Sequence, residues 1–174
     1  YLNQKSIKMK KDTFLITITM VFFLGIINPI KAQVSEDSEL FITLKTNESL
    51  LFNIGFNKCV LNEFKNLTTD DLEFYHDKNG ILKSKAEFIN VMANGICHKD
   101  NLYKARRELV KGSLKVYPLY ENGKLYGAIQ NGEHQFYETF QGNEKAGNVA
   151  KFSHLWILEN NQWKIKRILS FDHQ

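Results

Sequence analysis

The chain has 174 residues, with 23 basic against 19 acidic side chains and 13% aromatic residues. Residues 1–32 hold five of the bases and one acid, which leaves 18 of each and no net formal charge in the remainder. A nucleic-acid-binding domain carries a basic face or stripe, and none survives that subtraction, so nucleic acid is excluded as a partner.

Met9-Lys10-Lys11 opens a short basic segment, and Phe14 to Ile27 is then apolar apart from Thr17 and Thr19. Asn28-Pro29 breaks any helix, and Ile30-Lys31-Ala32 ends on a small residue. Basic start, apolar middle and small residue at the cut are the parts of a secretory signal. The reading is a leader over 9–32, extra upstream sequence over 1–8, and a single domain over 33–174. The apolar run falls short of the ~18–20 residues that span a bilayer. The mature protein is therefore expected in the periplasm or the medium, with no membrane contact after cleavage. Cys59 and Cys97 are the only cysteines, and an oxidising compartment makes them a natural disulfide. The alternative is two buried free thiols acting as small hydrophobes.

Glu36 to about Lys58 reads as a helix, with Leu40, Leu44, Leu51 and Ile54 at helical spacing and Asn47 as the polar break in that stripe. Ser35 or Ser38 can cap it. A short helical piece over Leu61–Asn66 follows. Leu72 to His76 alternates like a strand and runs into a turn at Asp77-Lys78-Asn79-Gly80. Ser84-Lys85-Ala86-Glu87 is a capping box, opening a helix to about Gly95. Strands are then expected over Ala105–Val110, Leu114–Tyr120, Tyr126–Phe140, Ala150–Glu159 and Gln162–Phe171, parted by Gly- and Asn-rich turns. Helices first and an antiparallel meander after them is an α+β order. It predicts a cone: three N-terminal helices packed in a strongly curved, mainly antiparallel sheet.

Asn160-Asn161 suits a two-residue hairpin turn, which predicts a register for the last two strands. Leu158 faces Trp163, Trp156 faces Ile165, His154 faces Arg167 and Phe152 faces Leu169, all on the apolar side. An arginine buried there needs an anion, a carboxylate or water. His134 is in phase with Phe136, and His76 with Phe74. Four readings stay open: hydrogen-bonded core histidines, a pocket with a polar floor, acid–base catalysis, or a metal site. The close-spaced pairs of zinc sites are missing, so no metal and no cofactor is expected. Arg106, Arg107 and Glu108 read as a solvated outer strand. No Gly-rich phosphate loop and no G-x-S-x-G elbow occurs.

Phe74-Tyr75-His76-Asp77, Gly132-Glu133-His134-Gln135-Phe136-Tyr137, Phe152-Ser153-His154-Leu155-Trp156 and Ser170-Phe171-Asp172-His173 resemble segments of the nuclear transport factor 2-like superfamily. They look like an exported branch near the SnoaL-like proteins. The resemblance covers about Leu40 to His173. It implies a cone of three helices and a bent sheet, a cavity between the long helix and the sheet, and often a homodimer through the outer sheet face. Isomerases, dehydratases, epoxide hydrolases, polyketide cyclases and binding domains without activity share that fold, so fold does not choose among them.

The resulting expectation is a domain that binds a small, partly apolar and anionic molecule. Trp156, Trp163, Phe136 and Phe152 would be the walls, with His76, His134, His154 and Arg167 holding the polar group. The alternative is a cofactor-independent lyase or isomerase. There His134 or His154 is the base, Asp77 or Asp172 orients it, and Arg167 stabilises developing charge. A third reading is a dimerising interaction domain with its histidines satisfied internally.

Overall fold

The computed structural model describes residues 32–173. The leader expected over 9–32 lies outside the described residues apart from Ala32, as do residues 1–8. Helix α1, Glu39–Ser49, starts where Ser38 Oγ accepts the Phe41 N–H at 3.2 Å. Of the two caps the sequence offered, Ser38 is the one used, and the helix starts three residues later than Glu36. The helix continues to Phe56 as expected, but Leu50–Phe56 is π-helical. Leu44, Glu48, Leu51 and Phe52 are all buried, at the i, i+4, i+7 and i+8 spacing of one helix face. Glu48 is thus the polar residue of the inner stripe, while Asn47 is only half-buried.

Helix α2 spans Asn62–Leu67 and α3 spans Lys85–Asn94. In the predicted capping box Ser84 Oγ accepts the Glu87 N–H at 3.1 Å. The Glu87 carboxylate reaches one residue further back than the motif prescribes, to the Lys83 N–H at 2.8 Å.

Seven strands form one sheet: β1 Thr68–His76, β2 Gly80–Leu82, β3 Tyr103–Leu109, β4 Lys115–Glu121, β5 Lys124–Phe140, β6 Asn143–Glu159 and β7 Gln162–Phe171. Their order is β2-β1-β7-β6-β5-β3, and β4 also pairs with β5. Only the β1–β7 pairing is parallel. Three hairpins turn on two residues that both have positive φ: Asn122-Gly123, Gln141-Gly142 and Asn160-Asn161. Such turns match the strand twist. The second of them corrects the expected loop between Phe140 and Ala150, because β6 begins at Asn143.

The β6–β7 register holds at first, with Leu158 opposite Trp163 and Trp156 opposite Ile165. A bulge then leaves Lys166 as an extra residue on β7. Beyond it His154 faces Ile168, Phe152 faces Ser170 and Leu155 faces Arg167. Because side chains alternate across a strand, a slip of one moves the rest of the strand to the other face. Arg167 goes outward and Ile168 goes into the core, correcting the predicted His154–Arg167 and Phe152–Leu169 pairs.

The concave face of the sheet wraps the helices. Leu44, Leu51, Phe52, Phe64, Phe88 and Met92 meet Leu72, Phe152, Trp156, Ile165 and Ile168 there, and each fully buried Leu or Phe side chain contributes ~1.5–3 kcal/mol. Cys59 and Cys97 are bonded, with Cα atoms 5.5 Å apart. The bridge ties the loop after α1 to the segment after α3. Among the described residues no helix is long and apolar enough to cross a membrane.

Candidate functional site

Inward-facing positions of β3, β5 and β6 carry Arg107, Gln130, His134 and His154, all nearly inaccessible to solvent. Glu48 of α1 meets them from the helix side, its Oε1 lying 2.7 Å from His134 Nε2. His154 Nδ1 lies 3.2 Å from Gln130 Oε1, and the same oxygen accepts the Trp156 indole N–H at 2.9 Å. The Gln130 amide N–H in turn donates to the Leu44 carbonyl at 3.0 Å, which fixes the amide's orientation. Gln130 can only accept at that oxygen, so the His154 proton is on Nδ1 and Nε2 is a bare acceptor.

Aromatic rings fill the space between these groups. Phe152 stacks on His134 and His154, at 4.4 and 4.3 Å between centroids. Gly132 makes room for that ring. A Cβ at Gly132 would lie 2.6 Å from Phe152 Cζ. The Phe52 ring, from the π-helical turn, lies 3.3 Å below the Arg107 guanidinium carbon and about as near to both histidine rings as neighbouring core rings lie. Phe56 covers the guanidinium from 4.8 Å.

Burial controls the protonation of the cluster. It pushes Glu48 up to about 7, against the pull of Arg107 and Lys45. It pushes Arg107 down to about 9, with Glu48 resisting, so the guanidinium stays charged at neutral pH. Burial, with the Arg107 charge nearby, holds His134 and His154 well below their ordinary value. A neutral histidine and a carboxyl poised near neutrality therefore share one short contact. Among the described residues four buried side-chain polar atoms have no hydrogen-bond partner: Thr69 Oγ1, Asn131 Oδ1, Arg107 Nε and His154 Nε2. The last two belong to this cluster, and both residues border the Phe52 ring.

A second group of polar residues stands at the rim. His173 Nδ1 lies 2.6 Å from Asp77 Oδ1, and His76 Nδ1 lies 3.3 Å from the same oxygen. The two imidazoles stack at 4.4 Å with 13° between planes. Burial, then the neighbouring His173, lowers the His76 pKa. For Asp77 burial works upward, but hydrogen bonds from the His173 backbone and ring outweigh it and hold the carboxyl below its ordinary value.

No protein-family model and no curated protein matches the sequence. Solved structures do. An NTF2-like protein from Cytophaga hutchinsonii aligns at TM-score 0.57 and 14% identity, over 76% of this chain and 97% of that one. ActVI-ORFA from Streptomyces coelicolor aligns at 0.59 and 10%, over 77% and 97%. A hexachlorocyclohexane dehydrochlorinase, LinA Type2, aligns at 0.59 and 11%, over 75% and 82%. The fold is nuclear transport factor 2-like. At these identities the likeness concerns the fold alone, and the residues of the site must be argued from this chain.

Within that nuclear transport factor 2-like cone, the structure brings His134, His154, Phe152 and Trp156 together as expected. Trp163 is half-buried against the same core. His76 is not with them: it belongs to the rim with Asp77 and His173, and Phe136 reaches toward the rim, 5.9 Å from the His173 ring. Arg167 is on the outer face, where its Nε lies 2.7 Å from Glu73 Oε2 and its Nη1 donates to the Asp71 carbonyl. Asp172 pairs with Lys151. Neither Asp77 nor Asp172 orients His134; Glu48 does. The inward arginine is Arg107, and Arg106 and Glu108 remain on the outer strand surface as expected, bonded to each other. Glu48, Arg107 and Gln130 are the residues sequence reasoning missed. Arg107 had a signal, since it alternates with Ala105 and Leu109 rather than with its charged neighbours. Two depressions, of about 450 and 480 Å³, lie away from the buried cluster, on the outer side of α1 and over the β1–β7 edge.

Proposed function

We propose that this protein is an exported small-molecule-binding domain whose site is the buried cluster of Arg107, His154, Glu48 and His134. The observation that carries this reading is the pair of unpartnered buried atoms in the cluster, Arg107 Nε and His154 Nε2, on two residues that both border the Phe52 ring. Leaving a buried donor or acceptor unpaired costs ~1–3 kcal/mol each, and native structures keep such groups mainly where a water or ligand meets them. Arg107 supplies a charged donor and His154 Nε2 an acceptor. The matching ligand is a small, partly apolar carboxylate that also carries a hydroxyl. Phe52 occupies the ligand's place in the closed state, and its π-helical turn is the type of local irregularity that recurs at functional sites. The Cys59–Cys97 bridge and the leader-like N-terminus support a periplasmic or secreted protein. Ile129, Leu155, Ile157, Leu169 and Phe171, partly exposed on the outer face, support a homodimer.

The test is an NMR titration of the Trp156 indole N–H with short hydroxycarboxylates, in the wild type, Phe52→Ala and Arg107→Met. Binding is expected in the wild type, tighter in Phe52→Ala and lost in Arg107→Met. If folded Phe52→Ala responds to none of them, the cluster is purely structural and the reading fails.

One observation favours a second reading, the cofactor-independent lyase or isomerase. The Glu48–His134 contact joins a carboxyl titrating at about 7 to a neutral imidazole, and a group with a pKa near the working pH is suited to proton transfer. In that case turnover of a bound ligand disappears in Glu48→Gln while ligand affinity remains.

A further inference from the structure

We propose that His76, Asp77 and His173 form a binding site for one divalent transition-metal ion of the zinc class, at the rim of the cone. This is independent of the buried cluster and of the reading given to it.

The fold assembles the site from opposite ends of the domain. Strands β1 and β7 run parallel, with His76 opposite Ser170, so both end at the same edge of the sheet. Asp77 is the first residue beyond β1. Asp172, with φ of 61°, turns the chain after β7 and brings His173 back over the sheet. The sequence hides this arrangement, because 96 residues separate His173 from Asp77.

The donor atoms are already gathered. One ligand atom from each residue lies within 4.8 Å of the other two. A tetrahedral ion with bonds of ~2.0–2.1 Å to nitrogen and oxygen needs only small side-chain rotations to close on them. Two imidazoles and a carboxylate suit zinc-like ions, and three protein ligands leave a fourth position open.

Protonation provides a second reason. His76 Nδ1 accepts the backbone N–H groups of Lys78 and Asn79, at 3.1 and 3.3 Å, so it carries no proton. It nevertheless faces the Asp77 carboxylate oxygen at 3.3 Å. Two electron-rich atoms are neighbours there, and an ion between them would take the Nδ1 lone pair in place of the two backbone N–H groups. An outer partner is also in place. With metal on Nδ1, the His173 ring keeps its proton on Nε2, where the Ser170 hydroxyl oxygen lies 3.4 Å away and can accept it. Such a contact fixes the tautomer of a ligating histidine. The site is half-buried, which leaves a path for the ion.

The experiment is a titration of the metal-stripped, tag-free full chain with Zn2+ by calorimetry and with Co2+ by visible absorption. One ion per chain is expected, with the intense d–d bands of Co2+ in a low-coordinate site. His76→Ala, Asp77→Asn and His173→Ala should each weaken binding by more than the ~10–100-fold that losing an outer partner costs, while His98→Ala, an exposed histidine outside the cluster, changes nothing. In the unmodified protein Zn2+ should move the NMR signals of residues 76, 77 and 173 first, a readout that needs no variant to fold. Absence of stoichiometric uptake, an aquo-type Co2+ spectrum, or affinity that follows His98 instead overturns the proposal.

Discussion

The protein holds two pairs of histidines that share a residue type and almost nothing else. His134 and His154 lie under the helices, locked between Glu48, Gln130 and the Phe152 ring. His76 and His173 lie at the rim, stacked on each other and sharing the Asp77 carboxylate. In the core, burial decides everything: both imidazoles are held neutral and a glutamate is driven to about 7. At the rim, water screens the charges, and position rather than protonation is what the fold supplies. Depth in the cone therefore decides whether the same side chain sits neutral among packed rings or half-buried at the rim.

The largest expected effect falls on the core side of that contrast. Gln130→Leu preserves volume approximately but leaves the Trp156 N–H, the His154 Nδ1–H and the Leu44 carbonyl without their partner. At ~1–3 kcal/mol for each stranded group, partly relieved by relaxation, the variant should lose about 3–5 kcal/mol in denaturant unfolding. A loss under about 1 kcal/mol would mean that water already reaches the cluster.

A medium effect separates the core's acid from its bases. Glu48 has a folded pKa of about 7 against a reference of 4.5, so its favourable contribution is present below 4.5 and is lost as pH rises to about 7. The two core histidines act in the opposite sense. Their folded pKa values are depressed, so the unfolded chain binds more protons below ~6.5 and acid destabilises the fold. Glu48→Gln removes only the first of these. Between pH 5 and pH 8 its stability should improve relative to wild type by about 1–3 kcal/mol, measured as unfolding midpoints across pH. A difference that stays flat shows Glu48 to be ionised and hydrated.

The contrast was only half legible in the sequence. Alternation alone placed His76, His134 and His154 on the inner face, because parity along a strand survives whatever the helices do. Arg167 was misplaced by one bulged residue, Lys166, which no local pattern announces. Arg107 was hidden by its charged neighbours Arg106 and Glu108, although Phe52 and Phe56 were available to cover it. Glu48 stands four residues after Leu44 and three before Leu51, so regular helical spacing already puts it on the inner stripe, where the polar break was expected at Asn47. The cysteine pair could be read because the argument needed only a compartment and an even count. Convergence of β1 and β7 at one edge, which creates the rim cluster, depends on a parallel pairing that the meander did not suggest.

The smallest effect belongs to the rim. His173→Gln removes the ring that bonds Asp77 and stacks on His76, but inside the cone that ring meets only the edge of Phe136 and the Ser170 hydroxyl. Partly exposed ion pairs contribute ~0–1 kcal/mol, so the thermal midpoint should move by no more than about 4 °C in a domain of this size. The metal response should vanish in the same variant. Loss of stability comparable to Gln130→Leu would place the rim in the structural core after all and erase the distinction between the two pairs. A stable variant that no longer takes up metal would instead place the ion at the rim, on the ring that bonds Asp77 and apart from the buried pair.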